Sequence, residues 1–226
     1  MTSDKADMDR LPAVKRVLIV YYSFSGQTQI LLQRMSAAMR ECGIEVETER
    51  LQLVEPIQFP FATWFEMSKV MLLSFFRWRV PIRPIDNFSC QNRDMVILAG
   101  PTWSYNPSGP MLSFLDTYGE KLCGDTRVMP LISCRSYWRF HYWGICRILK
   151  KHGAEVMRPI VYLHSANEPW RTIGLFLQLV GRLPRLETSW FRKRYPRYGH
   201  SREQWQDAAE QGRRIAEMLL KEAGGR

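Results

Sequence analysis

The sequence predicts an α/β fold: a doubly wound parallel sheet of five strands in the order 2-1-3-4-5, with helices on both faces. Three observations predict it. Residues 17–20 (VLIV) and 93–100 (RDMVILAG) hold continuous aliphatic runs, the pattern of strands buried on both faces. Each run breaks into a loop rich in turn residues and then into a stretch with helical apolar spacing. Strand-like and helix-like segments alternate along the chain, which demands a parallel sheet covered on both sides. One domain over residues 13–223 accommodates this pattern, with insertions at about 56–84 and 165–200.

Residues 1–12 (MTSDKADMDRLP) read as a disordered lead-in without the apolar region of a secretory signal. The first strand ends at Tyr22-Ser23, and a helix follows from 29 to about Cys42, stopped by Gly43. Residues 45–53 alternate charged residues with Val46, Leu51 and Leu53, as in an edge strand. Pro56, Pro60, Pro81 and Pro84 then bracket an aromatic segment, 61–80. Trp64, Phe65, Met67, Met71, Leu72, Phe75, Phe76 and Trp78 give it a broad apolar face at helical spacing, with Glu66, Lys69, Arg77 and Arg79 as its charges. Such a face must be buried somewhere. Packing over the core, a lid over an apolar substrate, a homodimer interface and insertion into a membrane interface are the options.

The strand at 93–100 leads into a loop, 101–110, and a helix through about Tyr118. Residues 128–134 (VMPLISC) form the next strand, opening into Arg135, Ser136, Tyr137 and Trp138 and a helix that Gly153 stops after Lys151. Residues 155–164 are a further strand broken by Pro159. Residues 165–200 are irregular, aromatic and basic around a short apolar helix at 173–183. A final amphipathic helix covers 201–221, where Ser201 and Gln204 have the spacing of a capping box.

Composition narrows the function. Residues 1–126 carry 13 Lys/Arg and 14 Asp/Glu, whereas residues 127–226 carry 19 and 8, so the +10 net charge sits in the second half. An anionic partner is expected there. The five cysteines, Cys42, Cys90, Cys123, Cys134 and Cys146, form no CxxC pair and no metal-ligand pattern, which points to a reduced, cytoplasmic setting and no metal. No run of about 18 apolar residues exists to span a bilayer. No Ser/His/Asp order or HExxH appears, so hydrolase chemistry has no support.

The loop at 23–28 is the first candidate site. Ser23, Ser25, Gly26 and Thr28 precede a helix N-terminus, whose unpaired N–H groups and partial positive charge suit a phosphate. Equally, they suit a simple capped helix start. The loop is neither GxGxxG nor GxxxxGK[ST]. The flavodoxin-type order places ligands beyond the carboxyl ends of the first and third strands, and the loops there are 23–28 and 101–110.

Residues 101–119 (PTWSYNPSGPMLSFLDTYG), through Pro101, Thr102, Asn106, Phe114, Leu115 and Asp116, resemble the third-strand loop and helix of flavodoxin-like NAD(P)H:quinone oxidoreductases. The loop at 23–28 is similar to that family's FMN phosphate loop. A closer resemblance is to a bacterial group labelled dialkylresorcinol-condensing-enzyme-like, through the Pro/Phe/Trp-rich stretch at 59–65 and the Ile-Ser-Cys-Arg-x-x-Trp run at 132–138. The resemblance implies FMN as cofactor, NAD(P)H as electron donor and a small apolar, quinone-like or aromatic acceptor. It implies that Ser23, Ser25, Gly26, Gln27 and Thr28 surround the FMN phosphate. Pro101, Thr102, Trp103, Ser104, Tyr105 and Asn106 would run along the flavin ring, with Trp103 or Tyr105 against it. Ser133, Cys134, Arg135 and Tyr137 would line its third side. This chain departs from the family at Trp103, Ser104 and Tyr105, where the family has an Arg, an aromatic and a Gly, and in lacking a Gly pair after the fourth strand.

Tyr105, Tyr137 and His141 are the candidate proton donors; His164 and Cys134 read as structural. The second class of reading is a flavodoxin-shaped binding protein or electron carrier without turnover. The basic charge and the insertion at 56–84 argue against a small acidic carrier. A third is peripheral attachment to the inner face of the membrane. Residues 165–202 hold eight Lys/Arg against Glu168 and Glu187, interleaved with Trp170, Phe176, Trp190, Phe191, Tyr195 and Tyr198. Nucleic acid would use the same residue types, but no known module accompanies them, so it is not expected.

Overall fold

The computed structural model describes residues 14–85, 93–164, 166–184, 190–195 and 199–224. The expected lead-in, together with Cys90, Glu187 and Tyr198, lies outside the described residues. The parallel sheet has the order β2-β1-β3-β5-β6, built from β1 (Arg16–Tyr21), β2 (Glu45–Arg50), β3 (Met95–Trp103), β5 (Arg127–Cys134) and β6 (Glu155–Val156). This is the expected 2-1-3-4-5 order. The last strand is split, as Pro159 suggested: β6 and β7 (Ile160–Leu163) both pair in parallel with β5.

Alternation along the central strands builds two cores. Val17, Ile19 and Tyr21 of β1, with Met95, Ile97 and Ala99 of β3, face α1 (Gln27–Glu41) and α7 (Arg202–Gly224). Leu18, Val20, Val96 and Leu98 face α3 (Gly109–Cys123) and α4 (Trp138–Lys151). β2 is an edge strand, charged at four of its six positions, with Val46 turned inward. Gly43 and Gly153 stop α1 and α4 with φ of 84° and 79°, as expected of glycines past a helix end. The capping box forms: Gln204 N–H donates to Ser201 Oγ, and Ser201 N–H to Gln204 Oε1.

Two features differ from expectation. The loop at 101–110 is largely a hairpin, because β3 runs on to Trp103 and pairs antiparallel with β4 (Asn106–Pro107). Its two turn residues, Ser104 and Tyr105, have φ of 43° and 72°, the left-handed geometry of a tight two-residue turn. The aromatic segment holds a helix, α2 (Trp64–Phe75), of which only Met67 and Ser74 are buried. Its apolar face is thus only partly covered. The second insertion forms α5 (Trp170–Leu179) and α6 (Trp190–Arg194).

Candidate functional site at the carboxyl rim of the sheet

β1 delivers Tyr22 and Ser23 to the rim of the sheet, and Tyr22 N–H still donates to Ala99 O of β3. Ser23 is 3 % exposed, and its Oγ makes no hydrogen bond among the described residues. A buried hydroxyl without a partner is unfavourable unless a ligand supplies one. Gly26 caps α1 with φ 79° and no side-chain cap, and its missing Cβ leaves open space. No acid lies in the first turn of α1. The N-terminal dipole of α1 is therefore unneutralised by its own side chains. Thr28 is buried, whereas the Gln27 carboxamide is turned to accept the His200 N–H at 3.1 Å.

The hairpin places its side chains elsewhere. Thr102 Oγ1 lies 2.8 Å from His141 Nδ1 and also bonds the Cys134 thiol. Ser104 Oγ donates to Met71 O at 2.7 Å, and Asn106 Nδ2 donates to Ser74 O and Phe75 O, both at 3.1 Å. Together they bind carbonyls in the last turns of α2 and tie the hairpin to that helix. Trp103 packs edge-on against Tyr22 and Phe24. Tyr105 instead meets Tyr137 and Phe140, with ring centroids 5.1 and 6.2 Å away. Of the two rings expected against the flavin, Tyr105 is the exposed one; Trp103 belongs to the core side of the rim.

At the end of β5, Ser133 Oγ pairs with His200 Nε2 at 2.8 Å. Arg135 donates to Thr172 Oγ1 and lies 3.7 Å from Glu168, and Arg171 Nη1 donates to Arg135 O at 2.7 Å. Both arginines thereby tie α5 to the rim. Burial pushes the Cys134 thiol up to about 11, so it is a neutral packing group. Burial pushes His141 down to about 3 and His164 and His200 to about 4. All three are neutral imidazoles at pH 7. His141 is buried as well, with its Nδ1 against the Thr102 hydroxyl. Tyr105 and Tyr137, the other two candidate proton donors, are exposed.

Four residues that the sequence reading did not single out complete the site. Phe24 lies at the junction of the two insertions, 5.0 Å from Phe59, 5.6 Å from Phe61 and 5.7 Å from Trp103 by ring centroid. Phe61 N–H donates to Leu179 O at 2.7 Å, joining the insertions directly. His200, Arg171 and Thr172 tie the second insertion to the rim. The only local hint was an aromatic between two serines in the first loop. Beneath α2, Val54, Ile57, Val70, Leu73, Trp78 and Trp103 line a pocket of about 430 Å³.

No family model and no curated protein matches the chain. Among solved structures, it is similar to a Lactobacillus acidophilus flavoprotein in complex with FMN (19% identity, TM-score 0.53, covering 66% of this chain and 93% of that one). It is similar to a flavodoxin from the domain Archaea (12%, 0.51, 91% and 99%). It is also similar to the flavodiiron protein of Giardia intestinalis (12%, 0.51), which it matches over 93% of its own length and 37% of the other's. The chain has the flavodoxin-like fold.

Proposed function

We propose that the chain binds FMN at this rim and is an NAD(P)H-dependent oxidoreductase reducing a small apolar, quinone-like or aromatic acceptor. The observation that carries it is the buried, unpartnered Ser23 hydroxyl beside the uncapped, acid-free start of α1. A phosphate meets both needs, since it accepts from a hydroxyl and is stabilised by helix N–H groups. Ser23, Ser25, Gly26, Gln27 and Thr28 would hold it, Gln27 through its N–H because its side chain serves His200. Bound FMN would supply hydride chemistry at its ring.

The protein's own groups do the rest. The backbone of residues 101–106 and of Ser133, Cys134, Arg135 and Tyr137 would flank the ring, because the hydroxyls of Thr102, Ser104 and Ser133 are already engaged. The exposed Tyr105, Tyr137 and Phe140 offer flat surfaces to an aromatic partner, and the two tyrosines can pass a proton to an acceptor oxygen. Free Cys42, Cys123, Cys134 and Cys146 support a cytoplasmic setting. The likeness of residues 59–65 and 132–138 to the dialkylresorcinol-condensing-enzyme-like group supports an apolar acceptor. Those internal hydrogen bonds of the hairpin are also what favours the alternative, a binding or electron-carrier protein without turnover.

The absorbance spectrum of the purified protein, before and after adding FMN, tests the proposal. Flavin bands that NADH or NADPH bleach are the expected result. A protein that ignores FMN overturns it. Bands that chemical reductants bleach but NAD(P)H does not leave the electron-carrier reading.

A further inference from the structure

We infer that the outer faces of α2 and α4, joined by the hairpin between them, form a docking surface for an anionic lipid bilayer. On α2 and its C-cap, Phe65, Leu72 and Phe76 recur at i, i+7 and i+11, so they share one face, and they are 79%, 60% and 71% exposed. On α4, Phe140, Trp143 and Arg147 recur at i, i+3 and i+7 and are likewise exposed. The hairpin makes the two helices neighbours: Asn106 and Ser104 bind α2 carbonyls, Tyr105 meets Phe140, and Arg77 Nη2 reaches Gly144 O of α4 at 3.5 Å. This rim therefore presents large apolar side chains on two adjoining helices, beyond the scattered exposed residues of an ordinary surface.

Its charge selects the occupant. The α4 segment has no Asp or Glu in 14 residues, but has Arg139, Arg147, Lys150 and Lys151. Lys69 adds to it from the first insertion, where Arg77 is half-buried against α4. On these elements Glu66 accepts the Ala62 N–H, and Asp116 of α3 pairs with Arg79 at 2.7 Å. A second copy would set these cations against themselves across a two-fold interface, which disfavours dimerisation. Aromatic rings among arginines and lysines suit the headgroup boundary of an anionic bilayer, where rings sink in and cations meet lipid phosphates. No helix among the described residues is long and apolar enough to cross a membrane, so contact is confined to the surface. In the second insertion the one strongly exposed aromatic among the described residues, Trp190, is already engaged by a cation. Phe191 and Tyr195 are buried, and the Arg194 guanidinium lies over Trp170 and Trp190. Nothing in this inference requires flavin.

The test is flotation of the full chain with vesicles of phosphatidylglycerol and of phosphatidylcholine, at low and high salt. The expected result is binding to phosphatidylglycerol alone, weakened by salt. L72S/F76S and F140S/W143S should each lower the partition coefficient at least about tenfold, while W190S leaves it unchanged. Circular dichroism confirms that the variants fold, and FMN titration without vesicles keeps this test separate from the flavin reading. Absence of binding overturns the inference. So does loss of binding through W190S alone, or a dimer in solution that L72S/F76S converts to monomer.

Discussion

Ser133 Oγ on β5 and His200 Nε2, 67 residues later, lie 2.8 Å apart, and the other ring nitrogen of His200 lies 3.3 Å from Gln204 Oε1. This pairing suits a neutral imidazole whose Nδ1–H donates to Gln204 and whose Nε2 accepts from Ser133. The same histidine's N–H reaches Gln27 at the start of α1. One residue thus couples the third strand of the rim, the loop after β1 and the last helix.

Buried neutral histidines predict how stability responds to acid. His141, with its proton uptake held down to about 3, and His164 and His200, at about 4, all protonate more readily when unfolded, near 6.5. The unfolded chain therefore takes up protons first. The stability from these sites is complete above about pH 6.5 and is lost as pH falls toward 4. Urea midpoints measured from pH 7 to 4.5 should fall. H141Q should shallow that dependence by roughly 1.4 kcal/mol per pH unit, one proton's worth. Parallel curves for the two proteins would show that His141 is not buried neutral.

Placing a carboxylate at the first loop should repel the proposed phosphate. Gly26→Asp or Ser25→Asp should abolish FMN retention, and Ser23→Ala should weaken it about tenfold by removing one donor. Gly26→Asp also tests the left-handed φ of 79°, which aspartate tolerates better than most residues. Wild-type FMN affinity in the two aspartate variants would remove this loop from the flavin site.

Asn106 should matter to α2 more than to the sheet. Its Nδ2 serves two carbonyls at the helix's end, so Asn106→Ala should cost about 1–2 kcal/mol and expose the first insertion to proteolysis. Limited trypsin digestion, with cleavage at Lys69 or Arg77 accelerated while the remaining sites hold, is the expected pattern. Unchanged cleavage would separate the hairpin from α2.

Gly212 predicts how closely α7 rides on α1. A Cβ there would stand 2.4 Å from Met35 O, a backbone atom that cannot give way without moving α1. Gly212→Ala should lower stability by about 1–3 kcal/mol despite its better helix propensity. A thermal midpoint equal to or above wild type would mean that the two helices sit further apart.

The sheet could be read from local pattern. Aliphatic runs can only be doubly covered strands, the charged 45–50 stretch can only be an edge, and glycines at 43 and 153 end helices through local geometry. The capping box at Ser201 and Gln204 was legible for the same reason, since its partners are three residues apart. The first loop was legible as a strand-to-helix turn, but not that Ser23 would be left without a partner. Tertiary structure decided what depends on distant contacts. Phe24 lies where two insertions over a hundred residues apart meet, and the hairpin's Ser104 and Asn106 side chains are taken up by α2. The apolar spacing of α2 announced a face to be covered, but not how much of it the chain would leave bare. Helical periodicity records which residues share a face; only packing against the other elements settles what that face meets.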